Sequence, residues 1–181
     1  MAEKLILHTT AAASTLDAVT TQIREIGLIE NAIDFQGHNH YLAGERFAAL
    51  ITFLGCAPHI VTDPRAGDSF CHVEPVATEN SILIGGSQGV PPRCPSCRTK
   101  LGEWRNHLQT DEITAETSLN CPKCSSETAL ASLNWRHYGG FGNLRIDIWG
   151  IPAELALPGD ELMQRLEETT GSRWSFLYLE E

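Results

Sequence analysis

Two short cysteine motifs decide most of what can be predicted about this chain: Cys94-Pro95-Ser96-Cys97 and, after an interval of 23 residues, Cys121-Pro122-Lys123-Cys124. Each motif can place both of its sulfurs on one ion only if the backbone turns tightly, and Pro95 and Pro122 fix a φ that suits such a turn. Four thiolates complete the tetrahedral ligand set of Zn²⁺ and leave no position open for water. The motifs therefore predict a closed, structural zinc site with one ion per chain.

Other interpretations of the four cysteines fit their spacing less well. A disulfide within each motif would close a strained short loop, and a single Cys-x-x-Cys pair can be a redox motif, but two matched motifs are typical of a metal site. Iron is the alternative ion, because tetrahedral sites with four sulfur ligands accept either metal.

The stretch from about 93 to 127 resembles a zinc ribbon with rubredoxin-type knuckles. The resemblance implies Cys94, Cys97, Cys121 and Cys124 as ligands and does not extend to the rest of the chain. A glycine often follows the second cysteine of such a knuckle, whereas Arg98 and Ser125 stand in these two positions here. Zinc ribbons occur in transcription factors, ribosomal proteins, enzymes and adaptors, so the resemblance does not fix a function.

Composition and charge narrow the class of protein. The chain has 181 residues, of which 42% are apolar and 20% charged, so it can bury a core of its own. No apolar run approaches the roughly 18 residues of a membrane span. The apolar stretch Leu5-Ile6-Leu7 is too short for a signal peptide, and reduced cysteines are typical of the cytoplasm, which is the expected location.

The charge distribution favours a protein partner over nucleic acid. The net charge is −10, divided as −6 for residues 1–92, +1 for 93–124 and −5 for 125–181. Nucleic acid repels such a surface unless its charges are segregated. The basic residues of the cysteine-bearing segment face four acidic ones and form only a weak patch; they are Arg93, Arg98, Lys100, Arg105 and Lys123.

The rest of the pattern predicts an α+β fold: a small mixed or antiparallel sheet with about three helices, formed by 1–88 and 128–181, with the zinc ribbon inserted at 89–127. Apolar periodicity predicts helices at 16–26, 43–54 and 158–171. A polar loop is expected at 36–41. The expected strands are 4–8, 32–35, 70–76, 81–84, a hairpin of 131–138 with 144–148, and 174–179.

The N-terminal half is rich in soft ligands, and a second metal site or a catalytic cysteine is an alternative hypothesis there. The candidates are His38, His40, Cys56, His59, Cys71 and His72. A metal would be held by Cys56 and His59 with Cys71 or His72, but adjacent strand residues point to opposite faces, so at most three ligands converge. The structural alternative is that both cysteines are small buried hydrophobes.

The leading functional hypothesis is a zinc-binding protein whose structural ribbon serves as a protein-interaction or regulatory adaptor. Leu101 and Trp104 lie between the two motifs and are expected to be exposed or half-exposed anchors, because Trp is enriched in binding hot spots. The first alternative is a metal- or cysteine-dependent enzyme with its site in the N-terminal half. The second is a nucleic-acid-binding ribbon protein.

Overall fold

The computed structural model describes residues 3–12, 15–35, 38–54, 60–65, 70–86, 89–152 and 154–180. Three α-helices lie in these ranges: α1 (Leu16–Glu25), α2 (Phe47–Leu50) and α3 (Asp160–Thr170). None of them is long and apolar enough to cross a membrane. The strands are β1 (Glu3–Thr9), β2 (Ile29–Phe35), β3 (His38–Ala43), β4 (Ile51–Phe53), β5 (His72–Gly85), β6 (Ser118–Asn120), β7 (Glu127–Ala129), β8 (Gly139–Trp149), β9 (Ala156–Pro158) and β10 (Ser175–Glu180).

Six strands form one sheet in the order β10-β1-β8-β5-β3-β2. Each neighbouring pair in this sheet is antiparallel. The remaining four strands form two small antiparallel pairs, β4 with β9 and β6 with β7. The predicted α+β class with three helices is therefore confirmed.

One face of the sheet packs against α1 and α3. Successive side chains of a strand point to opposite faces, so Leu5 and Leu7 of β1 share a face with Ile146 and Ile148 of β8. All four are fully buried in the main hydrophobic core. The helices contribute Val19, Ile23, Leu162 and Leu166 to the same core.

Both long helices end where the sequence predicts. The apolar residues Leu16, Val19 and Ile23 recur at helical spacing, and the latter two are buried. Gly27 follows α1 with a φ of 79°, and Gly171 follows α3 with a φ of 66°. Only glycine adopts this left-handed conformation without a steric cost, so it ends a helix readily.

The central strand β5 is one 14-residue element, whereas the sequence predicts two separate strands at 70–76 and 81–84. The register between β5 and β8 shifts between Ala77 and Ile82, which is the mark of a β-bulge. The bulge bends the strand without ending it. Past the bend β5 contacts β10, and the backbone N–H of Tyr178 donates to the carbonyl of His137 at 2.8 Å. The sheet therefore curls over its second face.

Two further predictions in the N-terminal half are wrong. Residues from His38 onwards form β3 instead of a polar loop, because this segment pairs with both β2 and β5. The predicted helix at 43–54 is reduced to the single turn α2, after which Ile51 begins β4 and pairs with Pro158 of β9. The β-branched Ile51 and Thr52 suit a strand, and pairing with β9 decides between the two conformations.

The predicted strand at 131–138 is also wrong. Leu130–Ser132 is a short 3₁₀ helix, and Arg136 and His137 have left-handed φ values of 55° and 64° that no strand contains. The strand begins only at Gly139, within the interval that separates the two expected strands of the hairpin.

The cysteine-bearing segment has a hydrophobic core of its own, here called the second cluster. Leu83 of β5 and Phe141 of β8 pack against it, so it is continuous with the sheet. The proposed insertion boundaries, 89–127, stay a prediction. The buried members of the second cluster are Cys94, Leu101, Trp104, Leu119, Cys121, Leu130, Leu133 and Trp135.

The second face of the sheet buries an ion pair. Lys4 of β1 and Asp147 of β8 are 5% and 1% exposed. Lys4 Nζ lies 3.2 Å from Asp147 Oδ2 and 3.9 Å from the centre of the Trp149 ring, and Arg145 Nε lies 2.9 Å from Asp147 Oδ1. Burial raises the pKa of Asp147, although Arg145 and Lys4 oppose this. Desolvation of the two charges thus offsets much of their attraction. Removing one partner should cost more stability than replacing both partners with apolar residues.

We expect Asp147→Ala to lower the free energy of unfolding by about 3–5 kcal/mol, because the buried Lys4 ammonium loses this carboxylate. The apolar replacement Lys4→Met/Asp147→Leu should recover most of that loss. Urea unfolding measures both, with Asp63→Ala as the control that changes little, since the Asp63–Arg65 pair is exposed. A double variant no more stable than Asp147→Ala would contradict this account.

Candidate metal centre

The four cysteines of the two motifs come together in space. Their Sγ atoms all lie within 4.8 Å of one another. The distance is 3.8 Å between Cys94 Sγ and Cys124 Sγ and 3.6 Å between Cys97 Sγ and Cys121 Sγ. A tetrahedral ion with Zn–S bonds of roughly 2.3 Å requires sulfurs about 3.8 Å apart. The spacing and the donor atoms therefore fit a tetrahedral metal ion.

The backbone around each motif repeats the same hydrogen bonds. In the first motif, the N–H of Cys94 donates to the carbonyl of Thr99 at 3.0 Å, and the N–H of Arg98 donates to the carbonyl of Cys94 at 2.9 Å. The second motif, starting at Cys121, makes the two equivalent bonds, each at 2.9 Å. Two copies of one tight turn thus present their sulfurs to a common point.

The residue after each motif adopts a left-handed backbone. Arg98 has a φ of 60° and Ser125 a φ of 57°. These are the two positions at which related knuckles often carry glycine. A residue with a Cβ pays roughly 1–2 kcal/mol in this conformation. The turn is therefore formed without glycine, at a steric cost in both motifs.

Two hydroxyl groups contact the sulfurs. Ser126 Oγ lies 3.1 Å from Cys124 Sγ and 3.5 Å from Cys94 Sγ, and Thr99 Oγ1 lies 3.4 Å from Cys97 Sγ. The side-chain hydrogen bond between Cys97 and Thr99, followed by the one with the Thr99 backbone, lowers the pKa of Cys97. Such groups around the ligands stabilise the charged thiolate that a metal requires.

The thiols of Cys94 and Cys121 do not ionise equally. The Ser126 hydroxyl and then the backbone N–H of Cys97 lower the pKa of Cys94 to about 6. At Cys121 the backbone N–H of Cys124 lowers the pKa, but burial and the neighbouring thiols outweigh it and raise the pKa to about 11. Adjacent thiolates repel one another, so all four can be charged together only around a cation.

Leu101 and Trp104 do not have the predicted exposure. They are 1% and 3% exposed and belong to the second cluster. The Trp104 ring packs edge-on against Trp135, with ring centres 5.3 Å apart, and its Nε1 donates to the carbonyl of Gly86 at 3.2 Å. Both residues form the core around the four cysteines, and the expectation that they are exposed or half-exposed is wrong.

The predicted second site is not assembled from the residues that can be described. Cys56 and His59 lie outside the described residues. Cys71 is buried in the main core, where burial raises the pKa of its thiol to about 12. His72 lies on the opposite face of the sheet. Within the described ranges, the four cysteines of the two motifs form the only group of three or more metal-ligating side chains.

His40 and His72 instead belong to an aromatic cluster that the sequence analysis missed. Their ring centres are 4.7 Å apart, and the His72 ring stacks on Trp149 at 5.7 Å. His72 Nδ1 lies 2.9 Å from the carbonyl of Phe70 and donates to it, while burial lowers the pKa of this imidazole. The side chain of His38 is outside what can be described.

Comparisons with protein-family models, with curated protein sequences and with solved structures find no match for this chain. The functional argument therefore depends on the geometry of the four cysteines and on the surface around them.

We expect Ser125→Gly to keep the metal centre and to raise its stability by about 1 kcal/mol, because glycine removes the left-handed strain. Ser125→Val should instead lower stability, since a β-branched residue is disfavoured at this φ. Chelator competition and thermal unfolding of the purified protein measure the two effects. Equal behaviour of the two variants would show that the knuckle does not hold this conformation in solution.

Proposed function

We propose that this chain binds one structural Zn²⁺ through Cys94, Cys97, Cys121 and Cys124, in a zinc ribbon spanning about 93–127. The observation that carries the proposal is the approach of all four Sγ atoms to within 4.8 Å of one another. Four thiolates occupy every position of the tetrahedron, which is the pattern of a structural site. Iron is the alternative, since the same ligand set accepts it.

The ion would hold together the second cluster. Cys94 and Cys121 are themselves buried members of this cluster, next to Trp104 and Trp135. The segment between the motifs contains only a 3₁₀ helix and β6, which pairs with β7 beyond the second motif, so it has few regular hydrogen bonds of its own. Metal binding supplies folding free energy to segments of this kind.

Native mass spectrometry with elemental analysis should find one zinc per chain, and Cys94→Ser/Cys121→Ser should lose it. Cys71→Ala is the matched control, because this buried cysteine lies in the main core and should leave the zinc in place. Removal of zinc by a chelator should change the fluorescence of Trp104 and Trp135. Iron in place of zinc would identify the metal as iron and contradict the zinc assignment. Retention of metal by the double variant would refute the site.

We further propose that the ribbon binds a protein partner through an acidic segment of that partner. The support is a group of three cations on the first knuckle, Arg93, Arg98 and Lys100, here called the basic knuckle patch. Arg93 and Lys100 are partners in a β-bridge, and Arg93 Nη1 lies 3.5 Å from the Arg98 carbonyl. Among the described residues no ion pair involves any of the three.

The two alternative functions have less support. Nucleic-acid binding by single strands uses exposed aromatic side chains as stacking platforms, and Trp104 and Trp135 are buried. The net charge of −10 also opposes it. A catalytic cysteine requires an accessible thiolate, and Cys71 is buried with a pKa raised to about 12.

The partner surface can be tested with defined probes. Fluorescence anisotropy should detect binding of a labelled oligoglutamate peptide, and Arg98→Glu/Lys100→Glu should weaken it about tenfold or more by reversing two charges. Arg98→Glu alone and Lys123→Glu form the matched pair, because each reverses one charge, and Arg98→Glu should weaken binding more than Lys123→Glu on the second knuckle. Zinc content must stay unchanged in all variants.

A labelled oligothymidylate serves as the second probe in the same assay. Tight binding of this strand that depends on the patch and falls steeply with salt would favour the nucleic-acid alternative. Peptide binding that is indifferent to the patch would refute the proposed surface.

A further inference from the structure

An open groove lies where the end of β1 meets the beginning of β10, away from the metal centre. Its volume is ≈ 400 Å³, which is in the range of small-molecule sites. No carboxylate lines it, although the chain as a whole is strongly acidic. The lining residues are His8, Thr9, Thr10, Phe141, Ser172, Arg173 and Ser175.

His8 presents a hydrogen-bond acceptor at this groove. Its Nδ1 lies 3.0 Å from the carbonyl of Phe141, so Nδ1 carries the proton and donates it. Burial lowers the pKa of His8, which favours the neutral ring. Nε2 makes no hydrogen bond with any described residue and keeps its lone pair. The ring lies directly against Gly140, where a Cβ would be 2.7 Å from Nε2.

Arg173 supplies the positive charge. Its guanidinium forms neither an ion pair nor a hydrogen bond within the part of the chain that is described. Its backbone is fixed, because Thr9 Oγ1 donates to the Arg173 carbonyl at 2.8 Å. The neighbouring hydroxyls of Ser172 and Ser175 also line the groove and can donate hydrogen bonds.

The chain that follows β1 is held in place by Asn143 of β8. The Ala11 N–H donates to Asn143 Oδ1 at 2.9 Å, and Asn143 Nδ2 donates to the Ala11 carbonyl at 2.7 Å. This pair of bonds fixes the segment that carries Thr10. The segments that carry Thr10 and Arg173 are thus organised before any ligand arrives, which lowers the entropic cost of binding.

We propose that this groove binds a small oxyanion that also carries a hydroxyl donor, the chemistry shared by hydrogen phosphate, sugar phosphates and hydroxy acids. Arg173 binds the charged oxygens together with the hydroxyls of Thr10, Ser172 and Ser175. His8 Nε2 accepts the hydroxyl of the ligand. An anion without a hydroxyl would bring an oxygen lone pair towards the lone pair of Nε2, and the site rejects it for that reason.

Two matched pairs of probes test the proposal on the full-length, zinc-loaded protein. The first pair is hydrogen phosphate and sulfate, and the second is glycolate and acetate; only the first member of each pair carries a hydroxyl. Nuclear magnetic resonance titrations at constant ionic strength should show saturable shifts at the Thr10, Ser172 and Ser175 amides. The hydroxylated member of the preferred pair should bind about tenfold more tightly. The preferred pair then distinguishes a phosphoryl ligand from a hydroxy acid.

Two variants assign the contacts. Arg173→Ala should weaken binding about tenfold or more, whereas Arg165→Ala, on α3 outside the groove, should leave it unchanged. Gly140→Ala should displace the His8 ring and abolish the preference for hydroxylated anions, while the dependence on Arg173 persists. The proposal is overturned if none of the four anions binds saturably, if the two members of each pair bind equally to the unaltered protein, or if Arg173→Ala binds normally.

Discussion

Four thiol groups within 4.8 Å of one another can all ionise only around a cation, and this constraint organises the middle of the chain. Cys94 and Cys121 are buried in the second cluster, so the charge of the thiolates is placed directly beside apolar side chains. Leu83 and Phe141 join that cluster to the two longest strands of the sheet. A metal at the cysteines would therefore stabilise more than the two knuckles. The segment between the knuckles also packs against the bent sheet, so the metal would stabilise that contact as well.

The two faces of the sheet are stabilised by different interactions, because one face is apolar and the other carries polar side chains that are also buried. On the helix-covered face, Leu5 and Ile146 are stabilised by apolar packing alone and require no hydrogen bond or counter-charge. On the second face, Lys4, Asp147 and His8 are each removed from water and must be satisfied by hydrogen bonds or charge. On this face the Trp149 ring lies over Lys4, and Gly140 and Phe141 of β8 lie against His8. The groove beside His8 forms where the curl leaves the end of β1 uncovered.

Short sequence patterns correctly predicted the features that depend on nearby residues. The spacing of the cysteines identified the residues that meet, and apolar periodicity closed by Gly27 or Gly171 identified α1 and α3. The failures depend on distant pairing: Ile51 joins a strand because Pro158 lies beside it, and the glycine-rich start of β8 extends because β5 pairs with it. Trp104 looked exposed in sequence because its partners, Gly86 and Trp135, lie outside the interval between the motifs. The groove draws on residues 8–10, 141 and 172–175, so no sequence window contains it.

The two knuckles share a backbone but differ in what they carry, and the difference argues for unequal roles. Glycine would fit the left-handed position of either knuckle without strain, yet Arg98 and Ser125 occupy these positions. Strain that persists where a cheaper residue would serve points to a use for the side chain. Arg98 adds a third cation to Arg93 and Lys100 on the exposed side of the first knuckle. Ser125 leads into Ser126, whose hydroxyl contacts two of the sulfurs. Thr99 of the first knuckle contacts Cys97 Sγ in a similar way, so both knuckles support the sulfurs, and only the first adds a group of cations on its exposed side.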